Sequence, residues 1–220
     1  MNTTQPADTR SQVFGPLVVR YDERVLAPRP WTLMQSQWAA ELAAQAPTGP
    51  ILELCAGAGQ IGLAAAVLTG RGLVQVEADP VAAAYARTNA VAAGRGSQVA
   101  VRNARIQTGV AADERFAIIL ADPPYLLTAD IARWPHDPVS AIDGGADGLD
   151  LIRVCLQVAS DHLTPGGAML LQVAGKPQAR AVVGVLGTTA NMDLTHLQTR
   201  HHDRDRSVML LIRGVAKALD

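Results

Sequence analysis

The stretch Ile51-Leu52-Glu53-Leu54-Cys55-Ala56-Gly57-Ala58-Gly59 reads as an apolar strand that runs directly into a glycine turn. From Pro50 onward the apolar pattern alternates between strand-length and helix-length segments. Strands are expected at Ile51–Cys55, Leu73–Glu77, Val99–Arg102, Phe116–Ala121, Ala168–Ala174, Leu194–Thr199 and Val208–Arg213, and helices over about 60–69, 80–94, 148–162 and 176–188. This order builds βαβ units, which bury a mostly parallel sheet between two layers of helices. The expected fold is therefore α/β and Rossmann-like, with a seven-stranded sheet and helices on both faces. Only the polar segment His201–Arg206 joins the last two strands, so they are expected to pair antiparallel as an edge hairpin. Ligands of such sheets sit beyond the carboxyl ends of the strands, where strand order reverses, so the chemistry is sought in the loops after the strands.

Upstream of Pro50 the pattern is different. Residues 1–12 form a polar leader expected to be disordered, and Val13 to Leu26 is rich in β-formers. Pro28-Arg29-Pro30 then interrupts the chain before a helix from about Thr32 to Gln45, with Thr32 placed to cap it. The domain division is 1–12, 13–46 and a main domain over 47–220. Composition agrees with one globular unit: 49% of the 220 residues are hydrophobic and 18% charged, which excludes a disordered chain. Aromatic residues at 4% beside abundant Ala and Gly suggest helices packed closely on the sheet. Nineteen basic against twenty acidic residues leave a net charge of -1, so no global field holds a phosphate polymer on the surface. The start carries no basic, apolar leader, and runs such as Ile61–Leu68 are far short of a bilayer, so the expectation is a soluble cytoplasmic chain without a membrane partner. Cys55 and Cys155 are read as reduced thiols.

Within the first turn, Gly57 and Gly59 let backbone approach a ligand, and Glu77, at the end of the second strand of the main domain, is placed to accept both hydrogen bonds of a ribose diol. Gly57, Gly59 and Gly62 also spell a dinucleotide fingerprint, with Glu77 twenty residues after Gly57. Glu53 separates the two ligand classes, because an acid near the strand end opposes a pyrophosphate docked on the helix N-terminus and favours a ligand that carries an ammonium group. S-adenosylmethionine has that ammonium and a cationic sulfonium. Asp79-Pro80 reads as an N-cap followed by a first-turn proline, and Asn103 as either a turn residue or a partner of an adenine edge.

The strand Phe116–Ala121 delivers Asp122-Pro123-Pro124-Tyr125 to the same end of the sheet. Two prolines fix φ and remove two donors, which leaves a stiff array of acceptors. A planar NH2 group can donate one hydrogen to the Asp122 carboxylate and the other to the Pro123 carbonyl, its nitrogen facing a sulfonium methyl. Tyr125 would stack on the planar target. Holding the reactants aligned can supply ~7–11 kcal/mol of the barrier. The long loop from Leu126 to Asp147, with Trp134, Pro135, His136 and Pro138, suits a lid or acceptor pocket. His136 reads as a surface histidine, Arg204 and Arg206 as a solvated turn, and no metal is assigned to His201, His202, Asp203 and Asp205.

With these motifs in place, the chain resembles the class I S-adenosylmethionine-dependent methyltransferases, and more narrowly the HemK-type release-factor glutamine methyltransferases, from about Val25 to Arg213. The similarity is carried by Val25–Thr32, the Leu-Glu-Leu-Cys-Ala-Gly-Ala-Gly turn, the run from Glu77 to Ala90, Asp143-Gly144-Gly145-Ala146-Asp147-Gly148-Leu149-Asp150, and Leu163-Thr164-Pro165-Gly166-Gly167. The resemblance implies that Glu53, Ala56, Gly57 and Gly59 of the turn, together with Glu77, Ala78, Asn103 and Asp122, line the donor site. It implies that Asp122 to Tyr125 hold the acceptor amide, that Arg29 and Thr32 lie beside it, and that the acceptor is a glutamine in a protein such as a translation factor. Three features depart from that family. The N-terminal helical domain of the bacterial enzymes is expected to be missing, Trp31 stands where a more polar residue is usual, and Asp122 replaces the Asn of glutamine-modifying members. Asp is common there in enzymes acting on adenine or guanine amino groups, so the alternative acceptor is an exocyclic amine of RNA, DNA or a small molecule. The oligomeric state is not legible.

Overall fold

The computed structural model describes residues 8–189, 192–202 and 207–214. The chain opens with a hairpin of β1 (Arg10–Phe14) and β2 (Leu17–Tyr21), followed by α1 (Leu33–Ala43). The main domain then runs β3 (Ile51–Leu54), α2 (Gln60–Thr69), β4 (Leu73–Glu77), α3 (Pro80–Ala92), β5 (Val99–Asn103) and β6 (Phe116–Ala121). After a long connection come α4 (Val139–Ile142), α5 (Asp150–His162), β7 (Leu163–Val173), α6 (Gly175–Thr188), β8 (Leu194–His202) and β9 (Ser207–Gly214).

The seven strands β3 to β9 form one sheet in the order β5-β4-β3-β6-β7-β9-β8, and the pairs among β3 to β7 are parallel. Strands β3 and β6 are buried along their whole length; β6 accordingly reads as an unbroken apolar run, and β3 departs from one only at the buried acid Glu53. Ile51, Ile118 and Leu170 face a layer containing Trp38 of α1 and Leu63 of α2. Leu52, Ile119 and Leu171 face the opposite layer, with Ile152 of α5 and Val182 of α6. Alanines such as Ala64 and Ala65 of α2 and Ala86 of α3 are buried, so these helices lie close to the sheet. The chain winds outward from β3 to β5 on one side and from β6 to β7 on the other, so the carboxyl ends of β3 and β6 flank the switch in direction. The edge pairing follows the sequence expectation: β9 lies between β7 and β8 and is antiparallel to both. The segment Asp203–Arg206, read as a solvated turn, lies outside the described residues.

Other boundaries differ. Strand β1 begins at Arg10, inside the stretch expected to be a disordered leader, because its polar residues pair across the hairpin, Arg10 with Tyr21 and Gln12 with Val19. Thr32 does not cap α1 through its side chain. A tight turn over Pro30–Thr32 already precedes the helix, and the Thr32 hydroxyl donates instead to the Arg29 carbonyl at 2.9 Å. Strand β7 starts at Leu163, but regular pairing with β6 begins at Ala168, beyond a register shift that absorbs Thr164–Gly167. Among the described residues no helix is long and apolar enough to cross a membrane.

Candidate active site

After β3 the backbone turns sharply, with φ of 56° at both Cys55 and Gly57. The Gly57 N–H donates to Oε2 of Glu77 at 2.7 Å, and the Asp79 N–H donates to Oε1 at 2.8 Å. Burial pushes the Glu77 carboxyl above its ordinary value, against the backbone N–H groups of Asp79, Gly57 and Ala78 that favour its charge. Asp79 caps α3 as the sequence suggests, accepting from Val81 and Ala82 at 2.8 and 2.9 Å. Where a Cβ on Gly57 would stand, no protein atom lies within 4 Å, so the turn leaves ligand-sized space above its backbone.

That space belongs to a cavity of about 330 Å³. Its floor and walls come from the ends of successive strands: Ala56 and Gly57 after β3, Glu77 and Ala78 after β4, Ile106 after β5, and Asp122 and Pro124 after β6. Arg24, Val25 and Leu26 close another side. These three are set by a knot at Asp22, whose fully buried carboxylate accepts from the Tyr85 hydroxyl at 2.8 Å and from the Arg24 backbone N–H at 2.9 Å. The Arg24 guanidinium donates to the same carboxylate at 2.5 Å, and this bond is the main reason the Asp22 carboxyl is held down at about 2. Asn89 of α3 pins the hairpin beside it by bonding both the N–H and the carbonyl of Arg20 at 2.8 and 3.0 Å.

The tetrapeptide after β6 is held from behind. Gln35 of α1 donates to the carbonyls of Ala121 and Leu170 at 3.1 and 2.7 Å, which locks the strand end before Asp122. Gln178 of α6 donates to the Tyr125 carbonyl at 2.8 Å. Gly144 packs so closely that a Cβ there would stand 2.7 Å from the Tyr125 Cα and 2.9 Å from the Pro124 carbonyl oxygen, so the Asp143–Asp150 stretch needs glycine to brace the tetrapeptide. A second cavity of about 100 Å³ opens on the other side of it. Asp122, Pro123, Pro124 and Tyr125 line it together with Arg29, Trp31, Trp134 and Asp137. Arg29 pairs with Asp137 at 2.5 Å, and its guanidinium lies 5.9 Å from the centre of the Trp31 ring. The two cavities share Leu26, Asp122, Pro124 and Ala141. Burial lifts the Asp122 carboxyl to about 7, opposed by the positive charge of Arg29. Burial likewise raises the Tyr125 phenol, which stays neutral.

Of the donor-site residues expected from the sequence, Ala56, Gly57, Glu77, Ala78 and Asp122 lie on the wall of the larger cavity. Glu53, Gly59 and Asn103 do not. The Glu53 side chain is buried behind the wall, where it accepts from Gln75 Nε2 at 2.6 Å, and burial raises its carboxyl to about 7. Its carboxyl lies directly under Gly62 of α2, so the strand that carries it points the acid into the helix interface and away from the ligand space. Gly59 packs on Gln75 and Ala86. Asn103 donates to the carbonyls of Glu77 and Ala78, both at 2.9 Å, and so serves as a clamp on the chain that carries the acid. In the smaller cavity Arg29 and Tyr125 are on the wall, whereas Thr32 is buried outside it. The loop after Tyr125 supplies Trp134, Asp137 and Ala141 to the walls, while His136 lines neither cavity. Cys55 and Cys155 are free thiols. Among the described residues no group of three or more His, Cys, Asp or Glu is placed to hold a metal ion. Sequence reasoning missed Arg24–Leu26 and Ile106, which reach the cavity only through packing, and Gln60, which follows the glycine turn directly.

Residues 36–133 match the family described as "Conserved hypothetical protein 95". The chain is similar to the release factor glutamine methyltransferase of Geobacter sulfurreducens, 35% identical over 149 residues that cover 65% of this chain and 51% of that one. It is similar to the release factor glutamine methyltransferase of Mycolicibacterium smegmatis, 31% identical over 215 residues that cover 93% of this chain and 73% of that one. It therefore spans about half the length of the first relative. Among solved structures, a methyltransferase from Pyrococcus furiosus matches with a TM-score of 0.67 at 20% identity, covering 91% of each chain.

Proposed function

The chain belongs to the release factor glutamine methyltransferase family, and from that premise we propose that it transfers the methyl group of S-adenosylmethionine to the side-chain amide nitrogen of a glutamine in a protein of the translation machinery. One observation carries the reading: Asp122 and Pro124 are walls of both cavities, so a ligand in the larger one and an acceptor in the smaller one meet at the tetrapeptide. The larger cavity suits the donor. Glu77 offers its carboxylate to a ribose diol, Gly57 leaves space above its backbone, and the Asp122 carboxyl stands where a cationic sulfonium would meet it.

The donor supplies an electrophilic methyl group on a cationic sulfur. The rest of the task falls to the chain. Asp122 accepts one amide N–H and the Pro123 carbonyl the other, which turns the nitrogen toward the larger cavity. Tyr125, neutral and hydrogen-bonded through its carbonyl to Gln178, stacks on the amide plane. Because an amide nitrogen is a weak nucleophile, alignment is the main lever, worth ~7–11 kcal/mol for well-oriented reactants. Asp122, with its carboxyl near neutrality, is able to hold the proton that the methylated nitrogen releases.

A second reading, methylation of an exocyclic amine on RNA, DNA or a small molecule, is favoured by one feature, the carboxyl of Asp122 in a cavity walled by Trp31 and Trp134. Incubation with isotopically labelled donor, followed by separation of protein, RNA and small-molecule fractions, distinguishes the two. Label in protein glutamine is the expected result, and label confined to RNA overturns it. A translation-factor acceptor places the reaction in the cytoplasm.

A further inference from the structure

We propose that Asp137 is a positioning residue for the acceptor: through its pair with Arg29 it holds the tip of the loop between β6 and α4 against the smaller cavity, so that the acceptor meets a wall already in place. The inference rests on the glutamine-methyltransferase reading above and gives a role to a residue which that reading does not use. The roots of the loop are tied to each other. The Leu126 N–H donates to the Ile142 carbonyl at 2.9 Å, the Gly144 N–H to the Leu126 carbonyl at 2.8 Å, and the Thr128 N–H to the Gly145 carbonyl at 3.0 Å. Farther out, residues 132–136 are exposed and the bonds are local. The Trp134 N–H donates to the Ile131 carbonyl, the Asp137 N–H to the Trp134 carbonyl, and Arg133 pairs with Asp130. Among the described residues, the pair of Arg29 with Asp137 at 2.5 Å is the polar bond that joins residues 129–138 to a distant part of the chain.

The two partners are not equally free. Arg29 stands on a fixed segment: Gln12 donates to the Pro28 carbonyl at 2.9 Å, and the N–H and hydroxyl of Thr32 both donate to the Arg29 carbonyl, at 3.0 and 2.9 Å. Arg29 is therefore the post, and the loop tip is what the pair restrains. The Asp137 side chain is 17% exposed and that of Arg29 30%, so the pair is partly shielded and screened less than one on open surface. Both line the smaller cavity, as does Trp134 three residues before Asp137, so the position of the tip sets that part of the wall. A wall ordered in advance spares the acceptor the cost of ordering it on arrival. The same wall is present before and during methyl transfer, so loss of the tie weakens acceptor binding and leaves turnover alone.

The test follows methylation of a purified translation release factor by S-adenosylmethionine, together with amide hydrogen exchange of the free protein. Asp137→Leu, close in volume and without a carboxylate, is expected to raise KM for the release factor by about 3- to 5-fold. Its kcat and its affinity for S-adenosylhomocysteine are expected to stay within about 2-fold of the native protein, while exchange over residues 129–138 becomes faster. Asp137→Glu, which keeps the charge, is expected to restore KM to near the native value. In an Arg29→Met background, Asp137→Leu is expected to change KM no further, because its partner is already gone. The proposal is overturned if Asp137→Leu leaves KM or loop exchange unchanged, if it weakens the donor as much as the acceptor, or if its effect persists in full beside Arg29→Met. A native protein that labels RNA and no protein glutamine removes the acceptor reading instead, a result distinct from those three, and the exchange comparison then still decides whether Asp137 holds the loop.

Discussion

The carboxylate of Glu77 at the end of β4 accepts the backbone N–H of Gly57 at 2.7 Å, so an acid on the cavity wall also fixes the turn that leaves open space above Gly57. Removing it costs twice: a ligand diol loses its acceptor, and the Gly57 and Asp79 N–H groups lose theirs. Glu77→Ala is expected to weaken binding of S-adenosylhomocysteine by ~1–3 kcal/mol, the range for leaving such groups unpaired. Isothermal titration reads this directly, and unaltered affinity takes Glu77 out of the donor site.

Asp122 sets the pH dependence. Its carboxyl is raised to about 7 by burial, against the opposing charge of Arg29. The ionised form is the better acceptor for an amide N–H and for the released proton, so kcat/KM is expected to rise as pH passes through about 7. Arg29→Met removes the positive charge and moves the inflection to higher pH, and Asp122→Asn abolishes it. An inflection that persists in Asp122→Asn belongs to another group.

Glu53 affects stability and not ligand contact. Its folded carboxyl titrates near 7 against an ordinary 4.5, so the folded state holds the proton longer than the unfolded one. The stability tied to that proton is complete below about 4.5 and is lost as pH climbs through about 7, by up to ~3 kcal/mol. Glu53→Gln mimics the protonated acid. It should melt several degrees above the native protein at pH ~8 and close to it at pH ~4.5, as followed by thermal unfolding. Equal melting differences at both pH values would show that burial does not perturb this acid.

How much of this could be read in advance differs from element to element. The βαβ order was legible because β6 is an unbroken apolar run buried on both faces and β3 departs from that pattern only at Glu53, and the tetrapeptide was legible because two adjacent prolines admit few backbone shapes. Glu53 was misplaced for a physical reason: side chains along a strand alternate in direction, and proximity to a strand end in sequence does not say whether an acid points at the ligand or under the next helix. Thr32 had the chemistry of a cap, yet the turn at Pro30–Thr32 gave its hydroxyl a nearer acceptor. Arg24–Leu26 became part of the site through the Asp22 knot, a contact over 63 residues to Tyr85 that no local pattern encodes.

That knot is itself testable. Tyr85 lines neither cavity, but its hydroxyl holds the carboxylate that shapes the Arg24–Leu26 wall. Tyr85→Phe is expected to lower unfolding free energy by ~1 kcal/mol and to weaken donor binding a few-fold, measured on the same samples by denaturant titration and calorimetry. Lost stability with donor affinity intact would uncouple the knot from the site.

The most direct measurement is a crystal structure of the protein with S-adenosylhomocysteine and a glutamine-containing peptide bound together. The glutamine amide should lie in the cavity between Tyr125 and the Trp31 side, bonded to the Asp122 carboxylate and the Pro123 carbonyl, with its nitrogen facing the ligand sulfur across Pro124. An amide bound elsewhere, or a sulfur turned away from Asp122, contradicts the account.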